Sequence, residues 1–321
     1  MRLFRTALVA LVAASPAALT AQSLTPYDVF VFNDFTHTFS ETNGRLAVGG
    51  NATLTNWRVG HLLTPGYTNF SLVVGGNLNS NNGSVAQGQT YVGGTYNGNG
   101  TTGFPAAYPA PVSGTSPIDF MAEMARLTAI SNGYAVMTTN GSTQLVNGEL
   151  NFIGNSSYNI FSITMAELQA GTAGYEFVTP VGATNIINVL GSSTNSAFNN
   201  TAFYFDCTQV ATSSSCQSGS NAATPAAAAL TLWNFNGQSD VIIGGPVHGS
   251  ILAPNAAVTF GYGDVVGTVV VNSAIANAEF YDEHDFAGVL PTVATPEPAT
   301  LGLLATGLIG IAGIVRRRNA R

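Results

Sequence analysis

The sequence predicts a mainly β chain, wound as a β-solenoid with one flanking α-helix and followed by a C-terminal transmembrane helix. Three observations lead there. The signature Val48-Gly49-Gly50-Asn51 returns as Val74-Gly75-Gly76-Asn77 and as Val92-Gly93-Gly94-Thr95, with a late echo at Ile243-Gly244-Gly245-Pro246. Charged residues are only 8% of the 321, against 45% hydrophobic and 36 glycines, too little charge for the exterior of a helical bundle. Finally, Ala299 to Val315 is an uncharged run that ends against Arg316-Arg317-Arg318.

The first three signatures lie 26 and then 18 residues apart, an interval that suits one coil of a solenoid. In such a coil small apolar residues point inward, and the glycines are expected at corners that need positive φ. The alternative is a β-sandwich with Gly-rich hairpins. Strands are expected at Leu72-Val73-Val74 and Val241-Ile242-Ile243. Downstream they are expected at Ala256 to Phe260, Val265 to Val271 and Ala274 to Phe280, with breaks at Pro254-Asn255, Gly261-Tyr262-Gly263 and Asn272-Ser273. One helix interrupts the pattern, with Ser116 as cap, Pro117 in its first position and Asp119 at its positive end. Phe120, Met124 and Leu127 share its inner face, Met121 and Ala125 lie beside them, and it should end near Asn132-Gly133. A shorter helix begins at Thr164, which forms a capping-box pattern with Glu167.

The two ends read as addresses. Arg2 and Arg5 precede the apolar run Ala7 to Ala14, and Leu19-Thr20-Ala21 is a small-residue cleavage site, so residues 1–21 are expected to be a signal peptide. Residues 22–290 form the exported body and 291–298 a linker containing Pro296-Glu297-Pro298. Residues 299–315 are a minimal transmembrane helix, since spanning needs about 17–25 apolar residues. The basic tail 316–321 stays cytoplasmic by the positive-inside rule. This Pro-Glu-Pro, helix, arginine arrangement resembles the PEP-CTERM sorting signal of Gram-negative bacteria. The resemblance implies an exosortase as partner, passage through the inner membrane and delivery to the surface or beyond, in the company of exopolysaccharide and biofilm systems.

The body has a resemblance of its own. Tyr27-Asp28-Val29-Phe30-Val31-Phe32, Gly44-Arg45-Leu46-Ala47-Val48-Gly49-Gly50-Asn51, Phe177 to Gly191 and Gly249-Ser250-Ile251-Leu252-Ala253-Pro254-Asn255-Ala256 resemble the choice-of-anchor A domain of bacterial surface proteins. That resemblance implies an adhesive or matrix role and supplies no catalytic residue. The Ser/Ala-rich stretch from Ala211 to Ala229 reads as an inserted loop. Cys207 and Cys216, the only cysteines, are expected to pair in an oxidising compartment.

Charge narrows the function. The chain has no lysine, and its body carries three arginines (Arg45, Arg58, Arg126) against 15 acidic residues, which excludes nucleic acid as a partner. Without lysine there is no P-loop, Schiff base or Ser-Lys dyad, and no Gly-x-Ser-x-Gly elbow occurs. His37, His61, His248 and His284 stand far apart. Asp282-Glu283-His284-Asp285 offers ligands for Ca²⁺ or another divalent ion, with Asp34 and Asp264 as further unsupported ligands. Adjacent residues on an extended chain point to opposite faces, so the favoured reading is a solvated cap on the last coil, with no cofactor. A noncatalytic surface or matrix protein contacting exopolysaccharide or neighbouring cells is therefore the leading expectation. A β-helical polysaccharide lyase or hydrolase is the alternative, disfavoured by the scarcity of basic residues. Ice binding stands third: Thr53-Leu54-Thr55 supplies one Thr-x-Thr pair, with no aligned array expected to follow.

Overall fold

The computed structural model describes residues 23–191, 196–199, 202–205, 207, 225–281 and 285–290. The chain is mainly β. It opens with β1 (Val29–Val31), β2 (Phe35–Thr38), β3 (Glu41–Thr42), β4 (Leu46–Val48) and β5 (Ala52–Val59). Next come β6 (Phe70–Val74), β7 (Leu78–Val85), β8 (Gln89–Val92) and β9 (Tyr96–Gly103), then α1 (Phe120–Ala135). The middle holds β10 (Ser142–Val146), β11 (Glu149–Ile153), β12 (Tyr158–Thr164), α2 (Met165–Ala170), β13 (Gly174–Val178), β14 (Thr184–Leu190) and β15 (Ala202–Tyr204). The last part holds α3 (Pro225–Ala229), β16 (Thr231–Asn234), β17 (Asp240–Ile243), β18 (Val247–His248), β19 (Ser250–Phe260), β20 (Asp264–Val266), β21 (Val269–Ala276) and β22 (Glu279–Tyr281).

Every pairing in the large sheet is parallel, and the strands stack into three ladders. The first runs β12-β14-β16-β19-β21-β1-β4-β6-β8. The second runs β17-β19-β21-β2-β5-β7-β9. The third runs β18-β20-β22-β3-β5. Among the described residues the one antiparallel pair is β10 with β11, joined through Asn147 and Gly148, both at positive φ as a two-residue hairpin turn requires. The first β-strands pair with the last: Val29 lies beside Val269 and Phe35 beside Ala274.

One side of every rung turns inward. Val29, Leu46, Leu72, Val269 and Ile251 are fully buried in a continuous apolar core, together with Leu54, Leu78, Val258 and Phe260. At the β12 end this core becomes aromatic: Phe152, Tyr175, Phe177, Phe198 and Phe203 ring Trp233.

The signature glycines have a different role from the one expected. None of Gly49, Gly50, Gly75, Gly76, Gly93 and Gly94 has positive φ. A Cβ at Gly75 or Gly93 would instead fall well inside 3.0 Å of the carbonyl oxygen of Gly49 or Gly75 in the neighbouring rung. Close stacking of backbone on backbone excludes any side chain there. The residue after each glycine pair links the rungs: Asp34 Oδ1 accepts from the Asn51 N–H (2.7 Å), Asn51 Oδ1 from Asn77 N–H (3.0 Å) and Asn77 Oδ1 from Thr95 N–H (2.7 Å).

The helix also differs at its ends. Its cap is Asp119, whose Oδ1 accepts from Ala122 N–H at 3.0 Å, while Ser116 closes a local turn onto Ile118. It runs through Gly133 to Ala135 because Ile130, Ser131 and Tyr134 continue the buried stripe. Met121, placed beside the inner face from the sequence, is 84% exposed. Asn188 and Asn234 donate to the carbonyls of Tyr134 (2.9 Å) and Ser131 (3.0 Å), satisfying backbone acceptors of its last turns. The capping box at Thr164 and Glu167 is present. β19 runs straight through Pro254-Asn255 and β21 through Asn272-Ser273, where breaks were expected. The interruptions fall instead at Gly267-Thr268 and Asn277-Ala278.

No helix among the described residues is long and apolar enough to cross a membrane. Residues 1–21 and 299–321, expected to be the signal and the anchor with its basic tail, lie outside the described residues, as does most of the loop from Ala211 to Ala229.

Candidate functional site

The second ladder presents a bare, ordered face. Along β5 the burial alternates strictly at its start, with Ala52 and Leu54 inside and Thr53 and Thr55 outside. Register then aligns the outward residues from rung to rung. Thr36 sits beside Thr53, Thr53 beside Asn79 and Asn79 beside Asn97. A second file runs Thr38, Thr55, Asn81, Asn99. On the other side of Thr36 the first file continues to Ile275, Thr259 and Ile242. Neighbouring rungs are about 4.8 Å apart, and the two files, separated by two residues along a strand, about 6.7 Å apart.

The side chains on this face are held in place. Threonine is restricted at χ1 by its branch. The Asn97 amide donates to Asn79 Oδ1 at 2.9 Å, and the Thr38 hydroxyl donates to Asn277 Oδ1. Beneath the face, His37 is buried between Phe35 and Phe280 and its Nε2 lies 3.0 Å from the Ala278 carbonyl. Burial lowers its pKa to about 4, opposed by that backbone hydrogen bond, so the ring is neutral. The corner after the face repeats positive φ at Phe39, Asn56, Asn82 and Gly100. Asparagine and glycine adopt this conformation readily; phenylalanine does not. Phe39 is 78% exposed there, and Tyr262, 53% exposed, follows Phe260, which lies two rungs from His37 by register.

Thr53-Leu54-Thr55 does not stand alone: Thr36-His37-Thr38 aligns with it by register, and Asn79 with Asn81 and Asn97 with Asn99 continue the two files, although no further Thr-x-Thr pair follows among them. Its partners were missed because Thr36 and Thr38 precede the first glycine pair, and because asparagines replace threonines on later rungs. Counting from the second glycine of each signature would have found them, since Thr53, Asn79 and Asn97 each lie three residues on.

The other sequence candidates fall elsewhere. Asp282, Glu283 and His284 lie outside the described residues; Asp285 accepts from the Thr268 hydroxyl at 3.2 Å. Asp34 is engaged by Asn51, and Asp264 lies beside Glu279, with burial and then that carboxylate raising its pKa. Among the described residues no three His, Cys, Asp or Glu side chains are grouped to hold a metal ion. Cys207 is buried, and Cys216 lies outside the described residues. Pro296, Glu297, Pro298, Arg316, Arg317 and Arg318 also lie outside them.

With this geometry in hand, comparison with known families is informative. Residues 20–282 match the family described as "Putative Ice-binding-like adhesive domain". The chain belongs to this family. The match names this ice-binding-like adhesive family and not the choice-of-anchor A family whose motifs the body resembles. Residues 294–318 match the PEP-CTERM protein-sorting motif, which marks an exported protein processed by an exosortase at a membrane sorting step on its way to the cell surface. No curated protein and no solved structure matches the chain.

Proposed function

We propose that this chain is a noncatalytic surface adhesin whose Thr/Asn face binds hydroxyl-rich polymer, exopolysaccharide above all, in a Gram-negative biofilm matrix. The three parallel ladders are the faces of a β-solenoid spanning most of residues 22–290. Residues 1–21 act as a removed signal peptide and 299–315 as a transient inner-membrane helix. The exosortase acts at the 291–298 linker, reading Pro296-Glu297-Pro298 and the basic tail 316–321. Cys207 and Cys216 form a disulfide that stiffens the loop between them.

The observation that carries this reading is the aligned pair of files, Thr36-Thr53-Asn79-Asn97 and Thr38-Thr55-Asn81-Asn99. Each amide offers two donors and an acceptor, and each hydroxyl one donor and two lone pairs, which matches the mixed donor and acceptor edge of a sugar chain. The face is already ordered, so binding loses little side-chain entropy. Phe39 and Tyr262 at its border supply exposed rings on which a sugar can stack.

The test is co-sedimentation of the full chain with polysaccharide from the producing cells and with a glycan panel. Thr53→Tyr should abolish retention while leaving the melting temperature unchanged. Equal retention of Thr53→Tyr and wild type would sink the assignment to this face. A second reading is ice binding, favoured by the adjacent Thr36/Thr38 and Thr53/Thr55 pairs; thermal hysteresis lost in Thr53→Tyr would establish it. The enzymatic alternative predicts new reducing ends or unsaturated products from acidic polysaccharides, and turnover of either kind would displace the adhesive reading.

A further inference from the structure

The rungs end at β9, which pairs with β7 on one side and, among the described residues, with no strand on the other. Residues 95 and 97–99 are exposed, so the edge is uncovered ahead of the corner at Gly100; beyond it the Gly100 and Thr101 N–H groups are taken by Asn99 Oδ1 and Asn82 Oδ1. Proteins blunt such edges with charge, proline or a covering element, because open N–H and C=O groups template pairing with another chain. β9 reads Tyr-Asn-Gly-Asn-Gly-Thr-Thr-Gly, with neither charge nor proline. The neutrality extends well beyond it: from Val59 to Ile118 the chain has no Asp, Glu, Lys or Arg. In a body with 15 acidic residues and three arginines, this is the end at which two copies can meet without mutual repulsion.

The other end of the molecule is where the chain leaves. The Val289 carbonyl accepts from the hydroxyls of Tyr134 (2.9 Å) and Tyr158 (3.3 Å), and Tyr158 opens β12. β12 and β8 are the outermost strands of the first ladder, eight steps apart, about 38 Å at the usual strand spacing, and Val112 adds a single parallel bridge beyond β8. The segment that continues toward the sorting motif therefore starts opposite the β9 tip.

We propose that the β9 edge pairs antiparallel with β9 of a second copy on a facing surface, joining two cells tip to tip. A two-fold axis through the Asn97 pair sets Tyr96 against Gly98 of the other copy and places the two Asn97 side chains directly opposite on one face, within the straight part of β9 ahead of its corner at Gly100. The four residues of β9 ahead of the Gly100 corner bury far less than the ~1,200 Å² of a stable complex, so one contact is weak and the strength comes from many copies in parallel. This goes beyond polymer binding and does not depend on it.

The experiment uses beads that carry the purified full chain attached through its C-terminus, without polysaccharide, with clustering followed by light scattering. Wild-type beads should cluster; Asn97→Lys beads and Asn97→Glu beads should each stay dispersed; a mixture of the two should cluster again. In detergent solution Asn97→Lys should weaken the concentration-dependent dimer about fivefold, the effect of facing like charges, with an unchanged far-ultraviolet circular dichroism spectrum. Thr53→Tyr beads, which lack polymer binding, should cluster like wild type, so failure of one reading is distinguishable from failure of the other. Dispersed wild-type beads, clustering that survives Asn97→Lys, or no rescue in the mixture would each overturn the tip contact.

Discussion

The same rungs carry two outward faces that have opposite fates. On the first ladder the outward residues are Phe30, Ala47, Val73, Tyr91, Leu252 and Val270, and α1 covers them with Leu127, Ile130 and Tyr134. Its strands are buried on both sides, so β1 and β4 read as unbroken apolar triplets. On the second ladder the outward residues from β2 to β9 are Thr and Asn, with Ile275 and Ile242 farther along the same file; nothing covers the Thr/Asn stretch among the described residues, and the strands alternate. Backbone pairing is alike on both. The lesson is that outward side-chain chemistry alone decides which face becomes core and which is left for a partner.

The largest expected effect breaks that contrast directly. Val73→Asp puts an unpaired charge under the helix and should cost about 4 kcal/mol, whereas Thr53→Asp on the bare face should stay within about 0.5 kcal/mol. Urea unfolding midpoints of the full chain measure both, and similar losses at the two sites would refute the distinction.

The next effect concerns what both faces share. Gly75→Ala should destabilise by about 3 kcal/mol through collision with the neighbouring rung. Gly66→Ala, where φ is 83° and nothing lies within 4 Å of a new Cβ, should cost only about 1 kcal/mol. The reverse ranking would restore positive φ as the reason for the signature glycines.

The smallest effect lies in the core behind the bare face. His37 titrates near 4 when folded and near 6.5 when unfolded, so the unfolded chain takes up its proton first as pH falls. The stability this histidine contributes is complete above pH 6.5 and is lost as pH falls toward 4, by roughly 2 kcal/mol at pH 5. His37→Gln should flatten that part of the pH profile of the melting temperature; an unchanged slope would place the titration elsewhere.

These contrasts also explain what could be read from the sequence. The Val-Gly-Gly signature located three successive rungs, because short apolar runs and obligatory glycines are local signals. The reason for those glycines was not local: it lies in a carbonyl of a rung 18 or 26 residues away. The stripe of α1 was legible, but its end was not, since Tyr134 is held by tertiary packing across Gly133. β19 crosses Pro254-Asn255 despite a local stop signal, its register with β21 shifting between Ala253 and Ala257. The bare face was half visible. Thr53 and Thr55 stood out, but their neighbours depend on register with strands far away in sequence, down to Ile275 beside Thr36.

The acceptor relay from Asp34 through Asn51 and Asn77 to Thr95 has a consequence for reach. Asn51 and Asn77 each donate a backbone N–H to the rung before and offer a side-chain acceptor to the rung after, so a whole repeat of this kind can be duplicated or deleted without changing how its neighbours join. The height at which the tip stands off a surface is then set in increments of one strand spacing, about 4.8 Å. Under the proposed tip-to-tip contact, the gap between adjoining cells would change by whole repeats, while the chemistry of tip and flank stays as it is.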